Sequence, residues 1–343
     1  MLSVIIPTRN RAELLQLALL SLQSQTLPAD QFEALVIDNG STDHTKQVVE
    51  SAQLRLVNIR YFFEPEPGLH VGRHRGLNEA LGDVLVYADD DIQATPTWLE
   101  AIAENFADPV VAMVGGNNHP DFKDAPPSWL ERLWQQSSMG GHAIPSLSVM
   151  SLPDGRRVLS PYLVWGCNFS IRKQVLLDAG GFHPDAMPQD LIRFRGDGET
   201  HVSQFVRDRG LRCLFDSRAS VYHAVPPERM TLEYFKRRAY NQGVSDSYSQ
   251  LRYAHKDNET QVASLSKLII RLKNIARRGF GKLRAFAHQD HELRSLHQGM
   301  TEGYRDGFSY HQKIYQDDPG VRAWVHMPDY FLSHHEKDGV LFK

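Results

Sequence analysis

Cysteine is nearly absent. Cys167 and Cys213 are the only two in 343 residues; they cannot build a disulfide framework, and a reducing compartment is the simplest reading. Long apolar runs are missing too. No stretch approaches the roughly 20 residues that span a bilayer as a helix. The start, Met1-Leu2-Ser3-Val4-Ile5-Ile6-Pro7, has no basic leader, and Pro7 and Arg9 interrupt it too early for a signal peptide. Positive charge is not in excess, and a net charge of −3 predicts no general attraction to nucleic acid. There is no internal repeat and no low-complexity tract. A hydrophobic content of 41% and a charged content of 23% are ordinary for a soluble globular protein. The length suits one large domain, or a domain with an appendage.

Residues 1 to about 115 alternate strand and helix signals. Val4–Ile6, Ala34–Ile37, Ile59–Phe63, Val84–Ala88 and Val110–Gly115 read as strands. Ala12–Gln25, with Leu15, Leu19 and Leu22 at helical spacing, Thr42–Ala52, with Ser41 or Thr42 placed to cap it, and Val71–Leu81 read as helices. This alternation predicts an open, mostly parallel sheet with helices on both faces. Ligands of such sheets bind beyond the carboxyl ends of the strands. From Asn117 to about Pro161 the pattern weakens and reads as a variable excursion. Tyr162–Ile171 restores a strand. Helices follow from near Arg172 to Gly180 and over Gly196–Arg209, then short strands at Cys213–Phe215 and Ala219–Tyr222 lead to His223.

The triplet Asp89-Asp90-Asp91 directly follows the apolar run Val84-Leu85-Val86-Tyr87-Ala88. Three carboxylates at the end of a buried strand are costly unless positive charge sits among them. A divalent cation carrying a diphosphate answers that need. An EF-hand calcium loop is excluded, because its central glycine and distal glutamate are absent.

Seven segments, in order, resemble the inverting nucleotide-sugar glycosyltransferases of family 2, which have the GT-A fold. They are Ser3-Val4-Ile5-Ile6-Pro7-Thr8-Arg9-Asn10, Val36-Ile37-Asp38-Asn39-Gly40-Ser41-Thr42-Asp43, Gly72-Arg73-His74-Arg75-Gly76-Leu77, Asp89-Asp90-Asp91, Trp165-Gly166-Cys167-Asn168, Gly196-Asp197-Gly198-Glu199 and Val221-Tyr222-His223. The resemblance implies an α/β GT-A fold, Rossmann-like, with a mostly parallel open sheet flanked by helices and a helical C-terminal extension. The expected division is a GT-A domain over 1–230, with a nucleotide-binding half at 1–115 and an acceptor-binding half at 116–230, then the extension over 231–343.

The same resemblance implies roles. Asp38 by itself reads as an Asx-turn or a helix cap; in the family it accepts a hydrogen bond from the donor base, with Pro7, Thr8 and Arg11 lining the pocket. Asn39 departs from the commoner second acid. Arg73 is the family's basic residue at this helix, facing base or diphosphate. Asp89 and Asp91 fit the ends of an Asp-x-Asp pattern, one on the metal and another on the ribose or a metal-bound water, and Asp90 is able to replace either. His223 by itself reads as structural; in the family it closes the metal site beside Asp91 and Asp89. The cofactor is then Mn²⁺ or Mg²⁺, which suit an oxygen-rich site with phosphate ligands. Glu199 falls where the family's catalytic base lies, counting back from Gly210, and Asp197 is the runner-up. Trp165, Gly166 and Asn168 match the acceptor-side segment. Arg229 and the pair Arg237-Arg238 read equally as charge near the phosphates or as plain surface charge.

The expected function is metal-dependent, inverting transfer of a sugar from a nucleotide diphosphate, UDP-linked by expectation, to a hydroxyl of a glycan or lipid-linked sugar in surface or exported polysaccharide synthesis. The alternatives are a sugar-nucleotide nucleotidyltransferase, which normally carries a Gly-rich loop where Pro7-Thr8-Arg9-Asn10-Arg11 stands, and a non-catalytic sugar-nucleotide-binding protein. The expected location is cytoplasmic. The stretch Leu265–Phe286, basic and amphipathic, reads either as a peripheral contact with anionic lipid at the inner face of the plasma membrane or as a packed helix with a solvated face.

Overall fold

The computed structural model of the protein describes residues 1–56, 58–259 and 290–331. The basic stretch 265–286 lies outside the described residues. Strand β1 (Leu2–Thr8) is buried at all seven positions. Burial at every position belongs to a strand covered on both faces. Its neighbours are β2 (Phe32–Asp38), β3 (Ile59–Phe63) and β4 (Val84–Ala88), all parallel to it or to each other. The sheet is completed by β6 (Val111–Gly115), β11 (Arg156–Val158), β12 (Asn168–Arg172) and β13 (Arg212–Asp216), in the order β11-β13-β6-β12-β4-β1-β2-β3. β12 runs antiparallel to β4 and β6.

Successive side chains of β1 point to opposite faces, and helices cover both. Val4 and Ile6 pack with Leu15, Leu19 and Leu22 of α1 (Ala12–Leu22) and with Trp98, Leu99 and Ile102 of α4 (Trp98–Phe106). Between these in sequence lie α2 (Thr45–Gln53) and α3 (Leu69–Glu79). Ile5, Leu35 and Tyr87 pack on the other face with Leu77 of α3, Leu176 of α6 (Lys173–Asp178) and Val202 and Val206 of α7 (Glu199–Asp208). Gly72 and Gly76 let α3 lie close on β1: a Cβ at Gly76 would collide with Ile5, and one at Gly72 would press on Pro7.

The excursion at 117–161 holds most of a second, six-stranded sheet, which the sequence pattern did not reveal. Its strands are β5 (Ile92–Ala94), β7 (Asn118–Phe122), β8 (Ser137–Ser138), β9 (Gly141–Ile144), β10 (Val149–Ser151) and β14 (Val221–Val225), in the order β5-β14-β7-β10-β9-β8, with α5 (Ser128–Gln135) between β7 and β8. Of the boundaries that differ from expectation, three have a local cause. The strand expected from Tyr162 begins only at Asn168, because Pro161–Leu163 forms a 3₁₀ turn. The helix expected from Gly196 begins at Glu199, because Gly198 sits at φ +54°. Asp43, rather than Ser41 or Thr42, holds the start of α2, accepting from the backbone N–H of Thr45 at 3.1 Å.

Beyond β14 the described residues are helical. α8 (Leu232–Glu259) packs in parallel with the helix His291–Asp317, and the short helix Pro319–Val325 follows. Gly243, Gly303 and Gly307 line the contact: a Cβ on any of them would strike backbone atoms of the facing helix. No described helix is long and apolar enough to cross a membrane.

Candidate active site

The register of the large sheet gathers the polar strand ends at one edge. Thr8 lies opposite Asp38, and β4 ends beside the start of β12, with Ala88 opposite Asn168. The triplet follows β4 and runs into β5. Because β14 pairs with β5, His223 comes opposite Ile92, and the backbone N–H of Ala224 donates to the Asp91 carbonyl at 2.9 Å. His223 therefore lies inside its strand rather than after it.

The three acids have different surroundings. Asp90 is buried, accepts from Thr8 Oγ1 at 2.8 Å and pairs with Arg11 Nη1 at 2.6 Å. Burial pushes its carboxyl up to about 7, against the pull of Arg11. Asp91 Oδ2 takes Arg11 Nη2 at 2.6 Å and Arg229 Nη2 at 2.8 Å, and Oδ1 faces His223 Nε2 at 3.2 Å. Burial opposes ionisation of Asp91, yet the hydrogen bond and charge of His223, with both arginines, hold it well below the usual carboxylate range. Asp89 is the most open of the three, its side chain 32% exposed, with Arg73 Nη2 at 3.8 Å. Burial and the neighbouring Asp91 raise its carboxyl.

Asp89, Asp91 and His223 each offer a donor atom, and these lie within 4.8 Å of one another. They are the only such group among the described residues. Two carboxylates and an imidazole, with one carboxylate open to incoming ligands, fit a divalent cation with phosphate oxygens completing its shell. Charge neutrality alone does not demand that cation. Arg11 and Arg229 already face the triplet, so the electrostatic need inferred from three bare acids is largely met by side chains. What favours a metal is the donor set and its convergence.

Arg73 links the triplet to α7. Its side chain is only 3% exposed and lies between Asp89 and Glu199, whose Oε2 is 3.4 Å from Nη1, with the guanidinium 5.1 Å over the Phe182 ring. Glu199 Oε1 accepts from the backbone N–H of Gly166 at 3.2 Å. Gly166 has to be glycine here, since a Cβ would collide with Arg73 and crowd Glu199. The Glu199 carboxylate is thus oriented at both oxygens while staying partly open. Asp197 is different: it is buried, His183 Nδ1 lies 2.6 Å from Oδ1, and Ser249 Oγ donates to Oδ2 at 2.7 Å.

At the strand ends, Asp38 closes an Asx-type turn. It accepts from the Ser41 N–H at 2.8 Å and from Tyr61 Oη at 2.7 Å. Asn39 ties down the loop before α3 through the carbonyls of Glu64 (3.1 Å) and Glu66 (2.5 Å). An amide does this where a second carboxylate would have no donor to offer.

A family model for glycosyl transferase family 2 matches residues 3–178, just over half of the 343-residue chain. The chain belongs to this family. Glycosyltransferase AglE of Haloferax volcanii is 28% identical over 214 residues, 62% of this chain and 63% of that protein. A validoxylamine A glucosyltransferase of Streptomyces hygroscopicus subsp. jinggangensis is 31% identical over 202 residues, 54% of this chain and 47% of that one. The chain therefore spans about half to two thirds of the length of these curated relatives. Among solved structures, the mannosyltransferase PcManGT of Pyrobaculum calidifontis, determined with GDP-Man and Mn²⁺, superposes with a TM-score of 0.54 at 19% identity, covering 97% of this chain and 85% of that one. The shared fold is GT-A.

Within this family 2 glycosyltransferase fold, the residues singled out from sequence do not all meet. Thr8, Arg11, Asp89, Asp90, Asp91 and His223 form one cluster, and Arg73, Gly166 and Glu199 adjoin it. Asn168 is buried, accepts from Trp98 Nε1 at 2.9 Å and donates to the Ala219 carbonyl at 3.0 Å, so its side-chain amide is engaged within the protein. Trp165 is partly buried against both core layers, its indole N–H on the Tyr162 carbonyl at 3.2 Å. Cys167 is packed, and burial pushes its thiol well up. Arg229, equally consistent in sequence with phosphate-side or plain surface charge, meets Asp91 from the 3₁₀ turn Pro227–Arg229 after β14. Tyr61, reached only through the pairing of β3 with β2, had no sequence signal.

Proposed function

We propose that this chain is the catalytic part of a metal-dependent, inverting glycosyltransferase. It moves a sugar from a nucleotide diphosphate to a hydroxyl of a glycan or lipid-linked acceptor. The observation that carries this reading is the adjacency of Glu199 to the Asp89–Asp91–His223 cluster through the shared guanidinium of Arg73. Asp89, Asp91 and His223 would hold the cation, which when bound offsets the charge of a leaving diphosphate. Arg11 and Arg229, already beside Asp91, add positive charge on the same side. Asp38, Pro7 and Thr8 lie at the strand ends where the nucleoside would seat.

Glu199 takes the proton of the acceptor hydroxyl. The acceptor oxygen then forms its bond to the anomeric carbon while the bond from that carbon to the diphosphate oxygen breaks on the opposite face, which inverts the centre. Arg73 and the Gly166 N–H fix the rotamer of Glu199, so little reorganisation is left for the reaction itself. Asp197 serves the framework in this reading, because both of its oxygens are already bonded. A carboxylate beside the cluster that is oriented at both oxygens disfavours a purely binding role.

The test is incubation with UDP-, GDP- and dTDP-sugars and Mn²⁺, monitoring release of nucleoside diphosphate. The proposal expects release with at least one donor, abolished in Asp91→Asn and reduced in Glu199→Gln. Release of pyrophosphate from a nucleoside triphosphate and a sugar phosphate would instead mark a nucleotidyltransferase.

A further inference from the structure

We infer that Asp197, clamped by His183 and by Ser249 of α8, is a positioning residue for Glu199, so that the helix pair after β14 helps to set the catalytic base. This inference rests on the proposed role of Glu199 and adds the residues that hold it in place.

Glu199 follows Gly198, whose φ of +54° belongs to a region that residues with side chains rarely adopt. Glycine leaves such a turn loose unless its flanks are pinned. Both flanks are pinned here. The backbone N–H of Gly196 donates to the Pro184 carbonyl at 2.9 Å, and that of His183 donates to the Gly198 carbonyl at 3.3 Å, so the two segments run side by side. Asp197 locks them from within: His183 Nδ1 lies 2.6 Å from Oδ1, and Ser249 Oγ donates to Oδ2 at 2.7 Å. On the other side of Glu199, the His201 ring stacks on that of His183 with centroids 3.8 Å apart, and its Nε2 is 2.8 Å from the Ala179 carbonyl. Asp197 and His201 thus both contact His183, and Glu199 stands midway between them in sequence.

The distances rank the two anchors. The contacts of Glu199 itself are long, 3.2 Å to the Gly166 N–H and 3.4 Å to Arg73. Those of Asp197 are short, as charge-assisted hydrogen bonds are, and its side chain is 4% exposed against 25% for Glu199. The direction of the Glu199 carboxylate is therefore set by its backbone more than by its own partners. Asp197 does more, then, than close the framework. α8 supplies the hold twice. Ser245, one turn before Ser249 on the same face, accepts from Arg195 Nε at 3.1 Å, and Arg195 Nη2 pairs with Asp185 Oδ1 at 2.5 Å. Both serines are buried. α8 is seated in turn by its close glycine contacts with the helix His291–Asp317. A small displacement of a catalytic group is enough to cost turnover while leaving what binds unaltered.

The experiment reads the Gly166 amide, which is bonded to Glu199 only while that carboxylate is in place. Trp165-Gly166 is the one Trp-Gly pair in the chain, so isotope labelling of tryptophan carbonyls and glycine amides isolates this amide by NMR in the full chain. Glu199→Ala defines the resonance without the bond. The expected result is that Ser249→Ala and His183→Gln each move the Gly166 amide toward that position and speed its exchange with solvent. Gly307→Ala, which disturbs the same helix pair at Tyr240 instead of at Asp197, leaves it at the wild-type position. In donor turnover, Ser249→Ala lowers kcat by about tenfold or more, with donor KM and nucleotide–Mn²⁺ affinity unchanged, and Gly307→Ala keeps the wild-type kcat. A Gly166 amide unmoved in both Ser249→Ala and His183→Gln, or moved as far by Gly307→Ala, overturns the positioning role. So does an unchanged kcat in Ser249→Ala. Wild-type protein that releases no nucleoside diphosphate from any sugar donor overturns the glycosyl-transfer reading instead, and the Gly166 amide still decides whether Asp197 sets Glu199.

Discussion

Glu199 and Asp197 stand two residues apart, yet the turn at Gly198 gives them opposite surroundings. Glu199 faces Arg73 and the Gly166 N–H with its carboxylate partly open, whereas Asp197 is enclosed by His183 and Ser249. Glu199→Gln should therefore cost about 10²- to 10⁴-fold in turnover, the range for loss of a general base, and leave nucleotide–Mn²⁺ affinity unchanged by calorimetry. Asp197→Asn should instead lower unfolding stability by about 1–3 kcal/mol, the cost of leaving buried polar partners unmatched, as read by urea denaturation. The sequence motif contains both acids and does not say which one the backbone turns outward. Asn168 carries the same lesson, because its place in the motif says nothing of Trp98, 70 positions away, which takes its oxygen. Asn168→Ala should weaken the fold in the same assay, without a selective rise in acceptor KM. That Asp91 and Arg11 fall at the same sheet edge was legible because each adjoins a strand and its turn in sequence.

The elements of the large sheet were the most legible, since β3 and β4 have the bounds that their apolar runs suggest. The second sheet was not. Several of its strands are only two or three residues long, too short for any periodicity, and they form because β14 and β5 supply an edge from distant parts of the chain. The helix pair after β14 is held by glycine contacts that no hydrophobic pattern announces. Gly307→Ala should destabilise the protein by about 1–3 kcal/mol through overpacking against Tyr240. Gly299→Ala, in the same helix with nothing nearby, should stabilise it by up to about 1 kcal/mol. His311 is buried in this contact beside Ser247 Oγ at 2.8 Å, and burial pushes its imidazole down to about 4 from 6.5. The unfolded chain then binds more protons than the folded one between these values. Stability from this group is complete above about pH 6.5 and falls as the pH drops toward 4, by up to about 1.4 kcal/mol per unit. His201, pushed down by burial to about 3, acts in the same direction. Urea denaturation at pH 7.5 and 5 should show the loss, and His311→Asn should show less of it.

The whole molecule brings three separate regions to one edge: the strand ends of the N-terminal half, the β5–β14 pairing that delivers His223, and the start of α7 that presents Glu199. The first could be anticipated from alternating strands and helices, because ligand sites in such sheets follow from topology. The others depend on long-range pairings and on the parallel packing of α8 with a helix some 60 residues later. The central claim is that Asp89, Asp91 and His223 hold a divalent cation against a nucleotide diphosphate. Pulsed EPR of Mn²⁺ titrated into the protein with UDP or GDP tests it most directly. The account predicts a nitrogen modulation from the His223 imidazole together with phosphorus couplings, with the nitrogen signal lost in His223→Ala. A spectrum showing only aqueous Mn²⁺, or bound Mn²⁺ with no nitrogen signal in the wild type, would contradict it.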